Sequence, residues 1–175
     1  MPFGYINKGK QLTKTIEDAS NLLDFKKKYI LKTLITKDTE DNIYAVVTLG
    51  NHRPNIKKIR PISRIFRDAH KIAGPLSLST LEEELIEDYI GMPAGFCGPV
   101  PLDKTYLGKI EGIIIQRKAK NIDIIHRYES GEKNIKKIFI TFPINMNESL
   151  LMRPRDLYEK LIEKCSKDKV SLFIE

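Results

Sequence analysis

The sequence predicts a mixed α/β fold in a single domain that spans residues 1–175. Three observations lead to this prediction. Short runs rich in β-branched residues alternate with stretches whose apolar residues recur at helical spacing. The connections between these runs are too irregular for a doubly wound parallel sheet. A chain of 175 residues is also long enough to bury one substantial core.

The first helix is predicted to begin at a capping box. Residues 1–12 form a lead-in or an edge strand, and the segment Thr15–Asp18 (TIED) then resembles a capping box, in which side chains at both ends satisfy backbone N–H groups. The helix ends at Asp24. Its apolar residues recur at helical spacing: Ile16, Ala19, Leu22 and Leu23.

Two strands and two short helices are predicted next. Residues 29–37 (YILKTLITK) and 43–49 (IYAVVTL) are rich in β-branched and apolar residues, and a turn-like segment separates them. Asn55 can cap a short basic helix. Residues 62–72 are predicted to be helical, and Gly74-Pro75 ends that helix.

The helix before residue 91 has the clearest boundaries. Ser79 or Thr80 is predicted to cap it, with a glutamate three residues further on, and Gly91 ends it. Its predicted buried stripe consists of Leu81, Leu85, Ile86 and Tyr89. Later elements are predicted from the same criteria: strands over 110–116, 122–128, 135–142 and 170–174, and a helix over 153–164.

A loop rich in glycine and proline, Gly95-Phe96-Cys97-Gly98-Pro99, follows this helix directly. Two glycines and a proline within five residues exclude a regular helix or strand interior. Such a loop presents backbone N–H and C=O groups rather than side chains, and glycine allows the backbone to approach a ligand closely. We therefore expect the loop to bind a small polar group and to exclude a larger one.

The charge composition is compatible with a polyanionic partner. The net charge is +7, and lysine and arginine form clusters at 26–28, 57–60, 117–120 and 133–137. Each cluster by itself is typical of a solvated face. Taken together, the clusters fit a nucleic-acid partner as well as they fit solvated faces, because polyanions bind basic surfaces with release of counterions.

Several classes of protein are not indicated. No apolar run approaches the roughly 20 residues that span a bilayer, and the N-terminus lacks the apolar stretch of a signal peptide. The two cysteines make neither a disulfide framework nor a zinc site, so a reducing cytoplasm is expected. Nucleotide-binding, hydrolase-elbow and metalloprotease motifs are missing, and the three histidines are scattered. We expect no metal and no cofactor.

Three single residues carry candidate chemistry, and each has a simpler explanation. Lys32 interrupts an apolar strand, which fits a cleft but also fits an edge lysine that reaches water. His126 shares a face with isoleucines and fits a core histidine with one hydrogen bond. Cys97 could be a nucleophile, but it has no neighbouring histidine in sequence, which favours a small buried residue. The residues alone favour the simpler explanation for each.

Several short motifs nevertheless occur together in a familiar order. They are the TIED helix opening, Lys32-Thr33-Leu34, the apolar run 45–49 into Gly50-Asn51-His52, the segment 73–84 (AGPLSLSTLEEE), Gly95-x-x-x-Pro99, and Asn121-Ile122-Asp123 ahead of His126. From Thr15 to His126 the chain thus resembles the YbaK and prolyl-tRNA synthetase editing-domain family. The form Gly98-Pro99-Val100 is closer to the domain inserted in bacterial prolyl-tRNA synthetase. Beyond Tyr128 we match no family motif.

The resemblance implies a fold, an activity and a set of site residues. The fold would be a mixed, mostly antiparallel sheet or partial barrel flanked by helices. The activity would be metal-independent hydrolysis of the ester in a mischarged aminoacyl-tRNA. The catalytic set would be Lys32, Gly95, Gly98 and Pro99. Substrate contacts would come from Thr33, His52, Phe96, Cys97 and His126.

The resemblance also suggests how these groups would act. Lys32 would contact the terminal adenosine or its phosphate. The backbone of the glycine loop would hold the acyl group and set the size of its pocket, since a Cβ on Gly95 or Gly98 would fill that space. His126 would shape the pocket and is not assigned as a general base.

Mischarged tRNA, above all tRNA-Pro, is the expected partner, with prolyl-tRNA synthetase as a second. Ala-tRNA-Pro is the first expected substrate and Cys-tRNA-Pro the next. Two alternatives stay open: a non-catalytic module of the same fold that binds tRNA or a synthetase, and a small-molecule pocket protein unrelated to tRNA. The initial methionine and short lead-in favour a free-standing protein over an excised synthetase domain.

Overall fold

A computed structural model describes residues 4–7, 9, 14–59, 77–99, 108–122, 125, 138–165 and 167–174. Eight strands lie in these ranges: β1 (Gly4–Asn7), β2 (Leu31–Lys37), β3 (Ile43–Leu49), β4 (Ser79–Thr80), β5 (Gly112–Gln116), β6 (Ile140–Pro143), β7 (Glu148–Met152) and β8 (Val170–Phe173). The α-helices of the same ranges are α1 (Ile16–Leu23), α2 (Glu83–Ile90), α3 (Arg117–Lys120) and α4 (Pro154–Cys165). Short 3-10 turns occur at Lys27–Tyr29, Ile56–Lys58 and Lys167–Lys169.

The strands form two sheets. The larger has the order β4-β2-β3-β5-β8 and the smaller the order β1-β7-β6. Pairs β3–β5 and β5–β8 are parallel, whereas β1–β7, β2–β3, β2–β4 and β6–β7 are antiparallel. A parallel bridge between Ile30 and Thr141 joins the two sheets at the start of β2. The predicted mixed α+β class is confirmed, four of the six described strand pairings are antiparallel, and neither sheet closes into a barrel within the described residues.

The core lies on both faces of the larger sheet. Strand β3 is buried at all seven positions, as expected for a central strand that is covered on both sides. One face packs against α2, α4 and the smaller sheet through a large apolar cluster that includes Leu31, Val47 and Leu161. The other face packs against a smaller cluster around Tyr44 and Ile59, to which Leu34 and Ile56 add.

The N-terminal predictions are confirmed almost to the residue. Strand β1 is an edge strand of the smaller sheet. At α1 both halves of the capping box form, with the Thr15 side chain accepting from the Asp18 N–H and Asp18 accepting in return from the Thr15 N–H. Asp24 ends the helix in the left-handed conformation. The predicted stripe is only partly correct, because Leu22 is exposed while Ala19 is buried.

The cap and stripe predicted for α2 are wrong in detail. Ser79 and Thr80 form β4 and pair with Lys37 and Thr36, so the helix begins after Glu82 without a capping side chain. Tertiary pairing at the sheet edge has overridden the local capping signal. The buried residues of the segment are Leu81, Ile86 and Ile90, whereas Leu85 and Tyr89 are exposed. Gly91 ends the helix at a φ of 76°, as predicted.

The strand predicted over 122–128 is wrong where the structure describes it. Ile122 and Ile125 are helical, and the Ile125 N–H donates to the Asn121 carbonyl at 3.0 Å. The chain turns into α3 directly after β5, and burial of Ala119 and Ile122 on one side outweighs the strand preference of isoleucine. Residues 62–72, the Gly74-Pro75 stop and residues 135–137 lie outside the described residues.

The C-terminal part contains one strand that the sequence prediction missed. Strand β7 follows β6 through a tight turn in which the Asn145 side chain accepts from the N–H groups of Asn147 and Glu148, each at 2.8 Å. The predicted last helix and last strand correspond to α4 and β8. Asn55 stands before a 3-10 turn but makes no capping hydrogen bond there. Within the described ranges, no helix is long and apolar enough to cross a membrane.

Candidate functional site: a cavity at the edge of strand β2

A cavity of about 260 Å³ lies beside β2. Its wall is built from parts of the chain that are distant in sequence: α1 and the residues just before it, most of β2, β4 and α2 with the loop that follows, and strands β6 and β7. Lys32 and Gly95, the two residues on which the sequence prediction most depended, both line this cavity.

The cavity follows the edge of β2 that β3 does not cover. On that edge β4 pairs only with Thr36 and Lys37, and the Ile35 carbonyl accepts from the Leu81 N–H at 3.0 Å. Because backbone groups alternate in direction along a strand, the N–H and C=O of Thr33 face the same edge as those of Ile35. One side of this cavity is therefore formed in part by strand backbone.

Side-chain alternation divides the cavity wall into two sides. Thr33 lies on the face of β2 that carries Leu31, which belongs to the larger core cluster. Lys32 lies on the opposite face with Leu34, which packs against the smaller cluster. The same cavity thus extends around the strand edge from the Thr33 side to the Lys32 side.

Lys32 is a half-buried cation without a counterion among the described residues. It pairs across the ladder with Thr48, and no carboxylate of the described chain forms a salt bridge with it. Burial lowers the pKa of its ammonium, and the nearby charge of Arg53 lowers that pKa further. An ammonium in this setting favours an anionic ligand, because an anion would supply the missing charge.

The glycine loop packs tightly against two other backbones. Gly95 has a φ of 87°, and a Cβ built on it would lie 2.6 Å from the Lys14 carbonyl oxygen. A Cβ on Gly98 would lie 2.0 Å from the carbonyl oxygen of Pro143. Both glycines are therefore required by backbone packing, which fixes the loop against α1 and β6. Their predicted part in setting the size of an acyl pocket stays a prediction.

Cys97 lines the cavity with a protonated thiol. Burial raises its pKa to about 11, and its Sγ lies 3.7 Å from the carbonyl oxygens of Met92 and Pro93, to which it donates. Because the thiolate is the nucleophilic form, this environment opposes a nucleophilic role. The structure agrees with the small buried residue that the sequence favoured.

Two hydroxyl groups of the cavity wall have no hydrogen-bond partner among the described residues. They belong to Thr33 on β2 and to Thr141 on β6, and both oxygens are buried. Sequence reasoning missed Thr141, although a single polar residue inside the apolar run 138–142 (IFITF) was a usable signal. Buried hydroxyls of this kind are costly unless water or a ligand satisfies them.

The mouth of the cavity carries an ion pair. Lys14 and Glu83, both exposed and both part of the wall, are joined at 3.0 Å and connect the segment before α1 to the first turn of α2. Their wide separation in the sequence left no signal for this contact. Within the described ranges, no group of three or more His, Cys, Asp or Glu side chains could hold a metal ion.

The predicted site residues divide into three groups by position. Four of them line the cavity: Lys32, Thr33, Gly95 and Cys97. Four others lie outside its wall: Phe96, Gly98 and Pro99, which are buried, and half-buried His52 in the loop after β3. His126 lies outside the described residues. The functional roles assigned to all nine stay predictions.

Comparison with known proteins shows which family and which sequences this chain is similar to. The family model "Aminoacyl-tRNA editing domain" matches residues 10–114, which is well over half of the chain. Two curated proline–tRNA ligases, from Francisella philomiragia and Francisella tularensis subsp. novicida, are each 36% identical over 70 residues. These matches cover 40% of this chain and only 11% of the length of the ligases.

Two solved structures share the fold. A hypothetical protein superposes with a TM-score of 0.63 at 20% identity, over 98% of this chain and 90% of its own. A candidate trans-editing enzyme for prolyl-tRNA synthetase superposes with a TM-score of 0.57 at 15% identity, over 99% of this chain and 87% of its own. Together with the motifs and the family match, these similarities identify the chain as a member of the aminoacyl-tRNA editing domain family.

Proposed function

We propose that this chain is a deacylase that hydrolyses the ester of a mischarged aminoacyl-tRNA in trans. Ala-tRNA-Pro is the first proposed substrate, Cys-tRNA-Pro is the second, and prolyl-tRNA synthetase is a further proposed partner. The observation that carries the proposal is that Lys32 and Gly95 line one cavity although they come from different elements. The relatives and the fold neighbour named above support the connection to proline charging.

The size of the cavity supports a small acyl group. Pockets that enclose a whole drug-sized ligand measure about 300–1,000 Å³. A cavity of about 260 Å³ is below that range, so it suits an aminoacyl group with part of the attached ribose. A synthetase distinguishes one methylene by only ~1–3 kcal/mol, so it charges some smaller amino acids by mistake. A second site that admits only the smaller product removes these errors.

The reaction needs water and a well-positioned ester. Water adds to the ester carbonyl carbon, the bond from that carbon to the ribose oxygen breaks, and the ribose oxygen takes up the proton that water loses. The products are a free amino acid and an uncharged tRNA. In this proposal the ammonium of Lys32 holds the nucleotide end of the substrate, and the backbone from Gly95 to Cys97 holds the acyl end.

The reaction is proposed to proceed without a covalent enzyme intermediate. The thiol of Cys97 is protonated at neutral pH, because burial raises its pKa to about 11. It also donates to the carbonyl oxygens of its own loop, which holds the sulfur in place. Direct attack by water is therefore the simplest step that this wall supports.

The basic surface is proposed to bind the rest of the tRNA. Arg117, Lys118 and Arg155 are exposed on α3 and α4, and Lys120 lies over the Tyr158 ring at 3.7 Å from its centroid. Such a surface binds phosphates without regard to sequence, and its affinity falls as salt rises. This fits an enzyme that recognises the acyl group in the cavity and holds tRNA elsewhere.

A panel of mischarged tRNAs tests the proposal. The purified chain is incubated with radiolabelled Ala-tRNA-Pro, Cys-tRNA-Pro and Pro-tRNA-Pro, and loss of the ester is followed with time. We expect fast loss of the first, slower loss of the second and none of the third. Lys32→Ala should abolish the activity.

The matched control is Lys37→Ala in the same strand. Lys37 is exposed and pairs with Asp41, so its loss should leave the rate unchanged. Wild-type activity in Lys32→Ala would contradict the role of Lys32. A wild-type chain that binds tRNA in a gel-shift assay but hydrolyses no member of the panel would contradict the deacylase proposal and favour a binding module.

A further inference from the structure

We propose that Arg53 and Lys32 together bind one phosphate group of the 3′-terminal nucleotide of tRNA. The inference rests on the proposed function, since it adds a second cation beside Lys32, which lines the cavity, from a loop that does not itself line it. It also assigns a role to Arg53, a residue of the loop after β3 for which the sequence analysis predicted no function.

The path of the chain places Arg53 alongside Lys32. The loop leaves β3 at Leu49, which pairs with Leu31 at the first position of β2. It then runs back to the 3-10 turn Ile56–Lys58, which contacts β4 beside the last residues of β2. The segment between these two ends must therefore pass along β2 from its start towards its end.

The loop runs over the face of β2 that carries Lys32. Ile56 packs against the smaller core cluster, and so does Leu34, which shares its face with Lys32. Arg53 is exposed and lies about midway between Leu49 and Ile56 in the chain. Its positive charge is close enough to the Lys32 ammonium to contribute to the lowered pKa of that lysine.

The two cations are not neutralised by the described residues. Neither Lys32 nor Arg53 forms a salt bridge with a carboxylate of that part of the chain. Their mutual repulsion contributes to the lowered pKa of Lys32. Two neighbouring positive charges without an anion favour binding of a phosphate, whose oxygens can accept from a guanidinium fork and from an ammonium together.

The geometry of a nucleotide fits this arrangement. In an aminoacyl-tRNA the terminal ribose carries the ester on one side and its phosphate on the other. The cavity extends around the edge of β2, with the glycine loop on one side and Lys32 on the other. A ribose at the strand edge would therefore direct its acyl group towards Gly95 and its phosphate towards Lys32 and Arg53.

Binding of small probes tests the site without any catalytic step. Affinities of adenosine 5′-monophosphate, adenosine and inorganic phosphate are measured by calorimetry for the wild type, Arg53→Gln and Arg53→Lys. We expect Arg53→Gln to weaken monophosphate binding about ten-fold, and Arg53→Lys to restore part of it. Adenosine should bind every protein equally.

The Lys32 ammonium gives a second readout by NMR. Arg53→Gln should raise the pKa of Lys32, since a like charge is removed, and the monophosphate should raise it in the wild type. The slope of log affinity against log salt for uncharged tRNA should fall by about one unit in Arg53→Gln. Lys109→Gln is the control, because this exposed lysine lies near the other end of β3.

Three results would overturn the inference. The first is an Arg53→Gln variant that binds the monophosphate with wild-type affinity. The second is an equal loss of affinity for adenosine and for the monophosphate in that variant. The third is a wild type that binds inorganic phosphate but not the monophosphate, which would indicate an adventitious ion only. The test is separable from the proposed function. An inert wild type with Arg53-dependent monophosphate binding would contradict only the deacylase, and an active wild type with Arg53-independent binding would contradict only this inference.

Discussion

The carbonyl oxygen of Lys14 lies 2.6 Å from the position that a Cβ on Gly95 would occupy. This close approach joins the loop after α2 to the segment that begins α1, and both segments line the cavity. The wall of the cavity is thus held in place by contact between two backbones, and side-chain contacts add to it at the Lys14–Glu83 pair.

Gly95→Ala should destabilise the fold by about 2–5 kcal/mol. A positive φ costs an L-residue roughly 1–2 kcal/mol, and the contact with the Lys14 oxygen adds an overpacking cost of about 1–3 kcal/mol. Gly91→Ala is the control, since Gly91 also has a positive φ but no atom lies within 4 Å of its Cβ position. Urea denaturation measures both variants. Equal losses of unfolding free energy would show that the Lys14 contact costs nothing.

Cys97→Ser should retain deacylation close to the wild-type rate. The thiol is not a nucleophile in the proposed reaction, and a serine hydroxyl can donate to the same carbonyl oxygens. Because burial raises its pKa to about 11, alkylation by iodoacetamide at pH 7.5 should be much slower than for an ordinary cysteine. Mass spectrometry resolves Cys97 from Cys165. Rapid labelling of Cys97, with loss of activity in the serine variant, would reverse this assignment.

Thr141→Val should be neutral or stabilising by about 1 kcal/mol. Its buried hydroxyl has no partner among the described residues, so replacement by an apolar group of the same shape removes an unsatisfied polar atom. Thr36→Val is the matched control, since Thr36 is equally buried but donates to the Tyr44 carbonyl at 3.1 Å. The control should lose about 1 kcal/mol in the same denaturation experiment. Similar losses for both would indicate that Thr141 is satisfied in solution.

Lys32→Met should be more stable than the wild type at neutral pH while losing deacylation. The folded-state pKa of Lys32 is lowered below 10.5, its ordinary value, so the fold disfavours the charged form relative to the unfolded chain. This penalty is fully present at pH values below the folded pKa and disappears as the pH rises above 10.5.

Melting temperatures of the wild type and of Lys32→Met, measured from pH 7 to pH 11, test whether the variant is the more stable protein at neutral pH. The difference between them should be largest at neutral pH and should shrink towards pH 11. Lys37→Met should show the opposite sign, with the wild type the more stable protein at neutral pH, because the hydrogen bond and ion pair with Asp41 raise the pKa of Lys37. That advantage is also lost as the pH rises through the raised pKa. A difference that grows with pH for the Lys32 variant would contradict the prediction.

Signals confined to a few neighbouring residues were read correctly from the sequence. The capping box at Thr15 and Asp18, the left-handed stop at Gly91 and the apolar strand β3 depend on hydrogen bonds or burial that the local pattern specifies. Where a local signal competed with a distant contact, the prediction was wrong. Thr80 pairs with Thr36 instead of capping a helix, and Ile122 packs in a helical turn instead of a strand.

The mixed α+β class, the family and the residues most worth testing could be predicted from the sequence, because they follow from periodicity and from motifs read along the chain. Contacts between distant parts of the chain were needed to show that Lys32 and Gly95 share a cavity, that the buried Thr141 hydroxyl in its wall has no partner among the described residues, and that the loop carrying Arg53 runs back along β2. The reason is physical: a cavity is the space left between packed elements, and packing is set by contacts between residues far apart in the chain.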